Sequence, residues 1–287
     1  MSQLYAVLRD CLKAEEPVAL ATVIEVSSDP GEAACHDVPP PLGSKLLVRG
    51  EGDVLGSLGD VDLDRAVAHD LRGALESGLP GERHYGWRGQ INGTAVSVFI
   101  EPFTPAPHMV IFGAVDFTRA LVRVANVLGF RVTVCDARPV FATRTRFPDA
   151  DEVVVDWPDR YLARAGAQLG PADAVCVLTH DAKFDVPAIV GALVTRVGYI
   201  GAMGSRRTKH DREQRLREAG VTDEDLIRIM APIGLDIGAR TPEETAVAIC
   251  AEIVAVHSGS SVPSLRDGTG PIHRSPSGLA HPTHLGL

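Results

Sequence analysis

The chain has 287 residues, of which 45% are hydrophobic and 23% charged, and its formal net charge is −9. That is length enough for two domains and apolar material enough for their cores, while the acidic balance argues against a phosphate backbone as partner, so no nucleic acid is expected. No stretch approaches the roughly 18 uncharged apolar residues of a membrane span, and the opening MSQLYAVLRDCLKAEE has no apolar signal core, so a soluble, cytoplasmic protein is expected.

Residues 3–14 set Leu4, Val7, Leu8, Cys11 and Leu12 at helical spacing and predict a first helix. PVALATVIEV (17–26) is β-rich and predicts a strand, and the next stretch, SSDPGEAACHDVPPPLG, collects loop residues. SKLLVRG and DVLGSLG resemble paired strands around Gly50 and Gly52. DVDLDRAVAHDLRGALESG starts with acids, repeats Leu63, Val67, Leu71 and Leu75, and ends at Gly78, which predicts a helix. TAVSVFIEPF alternates as a strand, and TPAP (104–107) is a natural linker, which bounds a first domain at 1–104.

From 109 onward, short apolar runs (MVIF, RVTVCD, EVVVD, AVCVLTH, RVGYIGAM, LIRIMAPIG) alternate with helical stretches at 116–128, 159–168, 185–194, 206–219 and 242–257. The last of these starts with a capping box, Thr241-Pro242-Glu243-Glu244, with proline at the first helical position. Near-continuous apolar strands separated by helices imply a parallel sheet covered on both faces. The expected fold class is therefore α/β: a Rossmann-like doubly wound parallel sheet over 105–258, preceded by a smaller α/β domain. The tail 259–287 is rich in Ser, Gly, Pro and His and predicts disorder; its histidines are too widely spaced to argue for a metal site.

The five cysteines are Cys11, Cys35, Cys135, Cys176 and Cys250; they are scattered, odd in number and form no C-x-x-C pair. That argues against a disulfide framework and a structural zinc site. Cys135, Cys176 and Cys250 lie in apolar runs and read as buried, inert thiols. Cys35, beside His36, is either an exposed reactive thiol or a plain loop cysteine.

In an open parallel sheet, ligands bind outside the carboxyl ends of the strands. Those ends fall at Gly113, at Asp136, at Thr179-His180-Asp181 and at Gly201 to Ser205, with the 232–238 loop facing the same way. Asp136 lies 23 positions after Gly113, about where an acid accepts a ribose hydroxyl, although an acid that merely ends a strand is the plainer alternative. The turn itself reads Gly113-Ala114-Val115. Val115 projects a branched side chain where backbone should approach a pyrophosphate, and Asp116 repels a phosphate that approaches the same amides, so both weaken an NAD(P) site. In YIGAMGSRRTKHD, Gly201 and Gly204 can expose amides, Ser205 can cap a helix, and Arg206, Arg207 and Lys209 add positive charge. The stretch is either an anion cradle or a glycine-rich turn before a solvated basic helix start. THDAKFD offers His180, Asp181 and Asp185 for acid–base or metal chemistry, or a polar loop in which Asp185 caps a helix. No G-x-S-x-G, H-E-x-x-H or P-loop pattern occurs, and no metal site is assigned.

FIEPFTPAPHMVIFGAVDFTRAL, LGFRVTVCDARPVFATRTRFPDADEV, LTHDAKFDVPAI, YIGAMGSRRT and PIGLDIGARTPEETAVAICAEIVAV together resemble the XdhC/CoxI family, accessory proteins for the maturation of molybdenum hydroxylases such as xanthine dehydrogenase and carbon monoxide dehydrogenase. The resemblance runs to about residue 257 and is weakest around 27–42. It implies an XdhC/CoxI domain followed by a Rossmann domain, binding of the molybdenum cofactor (molybdopterin), receipt of its terminal sulfur with help from a cysteine desulfurase, delivery to an apo-hydroxylase, and a homodimer. His180, Asp181, Asp185, the 201–207 loop and the 232–240 loop match the family pattern. Three places depart from it. Asp62 stands where G-S-I-x-G-G-C-V-E has its cysteine, Asn92 where a second C-G-G begins, and Gly113-Ala114-Val115-Asp116 replaces G-A-G-H. A carboxylate is a hard ligand and cannot carry sulfur as a thiolate does. The expectation is a maturation factor that binds or delivers the cofactor, or regulates its use, without covalent sulfur transfer, more chaperone than catalyst. One alternative is a nicotinamide-dependent oxidoreductase; the other is a non-catalytic dimeric scaffold for part of a hydroxylase.

Overall fold

The computed structural model describes residues 3–27, 39–50, 52–90, 93–262 and 264–267. The expectations for Cys35, for Asn92 and for most of the loop after residue 26 and of the 259–287 tail therefore lie outside the described residues. The chain divides into two compact units, the first running up to Pro105 and the second starting at Ala106.

The first unit holds helix α1 (Gln3–Ala14), strands β1 (Val18–Val26), β2 (Lys45–Arg49) and β3 (Asp53–Ser57), helix α2 (Val61–Ser77), and strands β4 (Gly81–Tyr85) and β5 (Val96–Phe103). They form an antiparallel sheet in the order β3-β2-β1-β5-β4. β1 is central and buried on both faces. Ala19, Ala21 and Val23 join Leu63, Val67 and Leu71 of α2 in one core, while Val18 and Leu20 join Cys11, Leu4 and Val7 of α1 in the other. The period-2 geometry of a strand separates the two sets. β4, GERHY, is an element that the sequence reading lacked: its alternation is mostly polar, and only Tyr85 is buried.

The second unit holds β6 (His108–Phe112), α3 (Asp116–Val127), β7 (Arg131–Cys135), β8 (Glu152–Val154), α4 (Pro158–Ala165), β9 (Ala174–Val177), α5 (Ala182–Leu193), β10 (Tyr199–Ala202), α6 (Arg206–Glu218), α7 (Asp223–Ile227), β11 (Ile229–Met230) and α8 (Pro242–Ser258). All its strand pairs are parallel, in the order β11-β10-β9-β6-β7-β8. This is the doubly wound order, which reverses between β6 and β9. Alternate strand residues feed two cores. Met109, Ile111, Val132 and Val134 pack with Leu121 and Ala125 of α3 and Ile249 and Ile253 of α8. Val110, Phe112, Val175 and Val177 pack with Leu162 of α4, Ile189 of α5 and Leu216 of α6. Each such side chain stabilises the fold by about 1.5–3 kcal/mol on burial. The capping box is present: the Thr241 hydroxyl accepts from the Glu244 amide at 3.1 Å, and Glu244 accepts from the Thr241 amide at 3.1 Å. Among the described residues no helix is long and apolar enough to cross a membrane.

Two histidines of this unit tie its stability to pH. Burial first, then the positive charge of Arg131, holds His108 below the usual imidazole range; burial also lowers His257, against the pull of Asp173. Both rings stay neutral in the fold where the unfolded chain takes up protons, below about pH 6.5. Their contribution is complete above that value and is lost as pH falls through the depressed folded values. The urea midpoint is therefore expected to drop between pH 7.5 and 5.5, and the drop should be smaller in His108→Asn; an unchanged midpoint would contradict the assignment.

Candidate functional site

Because all six strands of the second unit are parallel, their carboxyl ends lie on one edge, and the predicted site residues do gather there. The β6–α3 turn sits at the point where strand order reverses. Gly113 has φ +116°, a conformation that L side chains avoid, and a Cβ built on it would stand 2.7 Å from Thr179 Cγ2. The crevice beside the turn is thus filled by a side chain from the end of β9. All three turn amides have partners within the chain: Gly113 N–H donates to the Cys135 carbonyl (3.0 Å), Ala114 N–H to Asp136 Oδ2 (2.8 Å) and Val115 N–H to Thr118 Oγ1 (3.3 Å). Thr118 in turn donates to the Gly113 carbonyl at 2.5 Å. A pyrophosphate in the usual dinucleotide pose would find these three amides already taken. Asp116 points to solvent, with Arg146 at 3.8 Å.

Asp136 is buried, and its carboxylate accepts four hydrogen bonds, from Ala114 N–H, Arg138 N–H (2.9 Å), Arg138 Nε (2.9 Å) and Arg138 Nη2 (2.7 Å). Those fill a carboxylate's acceptor positions. Burial pushes this acid up, but the Arg138 guanidinium and the two amides outweigh it, leaving the carboxyl below its usual range. The acid placed by spacing for a ribose hydroxyl thus braces the Gly113 turn against Arg138.

The 180–185 cluster divides. His180 and Asp181 are exposed, and Asp181, not Asp185, caps α5 by accepting from the Lys183 amide at 3.1 Å. The helix therefore starts three residues before the predicted boundary, and Asp185 turns inward. It accepts from the Thr179 hydroxyl and from Arg212 Nη2 (2.9 Å), which also donates to the Met203 carbonyl (2.6 Å). Burial raises Asp185 above the usual carboxylate range despite the guanidinium. Arg212 is 3% exposed, and its Nε and Nη1 have no hydrogen-bond partner among the described residues. Thr179, Asp185, Arg212 and Met203 make a polar chain that joins the strand ends of β9 and β10 beneath the loop surface.

The 201–207 segment also differs in part from its sequence reading. Gly201 is a buried residue of β10, and a Cβ there would meet Ile233 Cδ1 at 2.5 Å, so it serves packing against the 232–238 loop. Beyond it the backbone opens. Ser205 caps α6 by accepting from the Thr208 amide at 3.1 Å. Among the described residues, the amides of Gly204, Ser205, Arg206 and Arg207 make no hydrogen bond, and the exposed Arg206 and Arg207 make no ion pair. A helix N-terminus whose four amides and two exposed arginines are unengaged among the described residues suits an anion. Arg138 and Arg212 escaped the sequence reading. Arg212 was visible as a charged residue four before the buried Leu216, hence on the inward face of α6.

In the first unit, Asp62 lies in the first turn of α2, capped by Asp60, whose carboxylate accepts from the Asp62 and Leu63 amides. A helix N-terminus lowers the pKa of a thiol; this chain places there an exposed carboxylate paired with Arg65 at 2.7 Å. Asp62, Arg65, His69, Asp70, Tyr85 and Arg88 line a cleft of about 470 Å³. The described cysteines are all buried and unbridged. Burial pushes the Cys135 and Cys250 thiols up to about 12 and Cys176 well above its usual value. Among the described residues no His, Cys, Asp and Glu group is arranged to hold a metal ion.

A small antiparallel α/β unit followed by a doubly wound parallel sheet defines a two-unit protein of Rossmann type. The family model described as the XdhC Rossmann domain matches residues 109–253, and that of the XdhC and CoxI family matches residues 11–86. The chain belongs to the XdhC/CoxI family. It is 34% identical over 158 residues to a probable xanthine dehydrogenase component of Bacillus subtilis (55% of this chain, 45% of that one). It is 28% identical over 178 residues to the molybdenum cofactor insertion chaperone PaoD of Escherichia coli (62% and 46%), and 29% identical over 231 residues to the protein YqeB of the same organism (77% and 42%). The chain spans less than half the length of these relatives.

Proposed function

We propose that this chain assists the maturation of a molybdenum hydroxylase by holding the molybdenum cofactor through its phosphate end, without carrying its sulfur on a cysteine. The observation that carries this reading is the contrast between two turns on one sheet edge. The 113–115 amides are all occupied within the chain, while the 204–207 amides stand open beside Arg206 and Arg207. The phosphate end of the cofactor fits the open turn. The metal end finds no exposed thiolate among the described residues. When bound, the cofactor supplies redox chemistry that its client enzyme uses; the residues of this chain hold and orient it. Relatives named for xanthine dehydrogenase and for cofactor insertion support a hydroxylase as partner. A homodimer and contact with a cysteine desulfurase belong to the proposal on the family's pattern alone. The occupied Gly113 turn and the saturated Asp136 count against the nicotinamide-dependent alternative.

Titrating purified chain with molybdopterin under anaerobic conditions tests the reading. Binding is expected, weakened about tenfold or more in Arg206→Ala/Arg207→Ala by loss of charge-assisted contacts. A molybdenum hydroxylase produced together with the chain should hold more cofactor than without it. Absence of both effects would sink the proposal.

A further inference from the structure

The carboxyl edge that carries the 204–207 turn also carries a group of flat side chains that neither core of the second unit absorbs. Phe141 follows β7, Trp157 is the N-cap of α4, and Phe184 lies in the first turn of α5; none belongs to the two hydrophobic cores. The Trp157 and Phe184 rings stack at 5.0 Å with 25° between their planes. The Arg138 guanidinium lies 4.6 Å from the Phe141 centroid and 5.6 Å from that of Phe184. Trp157 is 39% exposed and Phe141 40%, although rings of this size are ordinarily buried. Arg138 is not free to wander: Nε and Nη2 are both bound to Asp136, and Asp181 further favours its charge. Its plane is thus set before any ligand arrives, which reduces the entropy lost on binding.

We propose that Arg138, Phe141, Trp157 and Phe184 form a stacking platform for the flat bicyclic heteroaromatic ring, purine or pterin, of a bound ligand. Such rings stack on aromatic faces and on guanidinium planes alike, and the carboxyl edge of a doubly wound sheet is where such ligands bind. Asp136 then has a role that the spacing argument did not foresee: it positions Arg138. The proposal takes its location from the ligand-binding reading above and adds the part of the ligand that the phosphate site leaves unaddressed.

Trp87 and Trp157 are the two tryptophans, so Trp87→Phe leaves Trp157 as the sole indole reporter. In that background, GDP, ADP and neopterin are titrated while Trp157 emission is followed, with ribose 5-phosphate as the ring-free control. Saturable quenching by a purine nucleotide or by neopterin, with none from ribose 5-phosphate, is expected, and the ligand that quenches identifies the ring. Phe184→Leu and Arg138→Lys, each checked for a native circular dichroism spectrum, should weaken it about tenfold, the scale of one lost stacking contact. Saturation-transfer NMR on the unsubstituted chain gives the same answer if Trp87→Phe misfolds. No binding of either ring, or binding indifferent to both substitutions, overturns the platform. Molybdopterin binding without ring dependence would overturn the platform alone; ring binding without molybdopterin binding would overturn the maturation role alone.

Discussion

Asp185→Ala is expected to destabilise the protein by about 3–5 kcal/mol, the cost of leaving a buried charge without its partner. The Arg212 side chain is 4% exposed and that of Asp185 5%, with 2.9 Å between them. With Asp185 gone, the guanidinium keeps, among the described residues, only the Met203 carbonyl, since Nε and Nη1 have no partner there. The Thr179 hydroxyl loses its acceptor in the same step. Urea denaturation followed by circular dichroism measures the loss. Asp185→Leu/Arg212→Met removes both charges and should recover a large part of that loss, because an apolar pair of similar volume replaces a buried ion pair at little cost, while the Thr179 hydroxyl and the Met203 carbonyl stay unpaired. A single-variant loss below about 1 kcal/mol would mean that the pair does not hold these strand ends together.

Gly113→Ala should cost about 2–4 kcal/mol, from two sources of comparable size. A φ of +116° is strained for any residue with a side chain, and the new methyl would lie 2.7 Å from Thr179 Cγ2 and 3.2 Å from the Thr179 amide nitrogen. Thr179→Ser removes the methyl and keeps the hydroxyl that Asp185 accepts from. In that background the Gly113→Ala penalty should fall, while the backbone strain and the amide contact remain. An equal penalty in both backgrounds would show that Thr179 does not fill the turn. This experiment also addresses why a glycine stands at this turn: Gly113 is needed by the packing of β6 against the end of β9, whatever binds nearby.

Much of the molecule could be read along the chain. The inner strands of the second unit (β6, β7, β9 and β10) are short, largely buried apolar runs separated by helical stretches, so the alternation of elements and the parallel sheet were legible locally. The capping box at Thr241 was legible too, because its partners lie three residues apart. β4 escaped because its outward residues are charged and only Tyr85 is buried. The start of α5 was misjudged because Asp181 and Asp185 are equally good caps by residue type; what chose between them was Arg212, 27 residues away, which draws Asp185 inward.

The sequence by itself therefore determined the fold class, the edge on which unusual residues converge, and the family. Those properties rest on periodicities and on residue types at matched positions. Only the tertiary structure decided what each edge residue does. Asp136 is turned to Arg138, Asp185 to Thr179 and Arg212, and Gly201 to Ile233, while the amides from Gly204 to Arg207 are left open. A hydrogen bond between residues far apart in the chain depends on where the strands set their ends. Whether a carboxylate or an amide is available to a ligand follows from which neighbours have already claimed it.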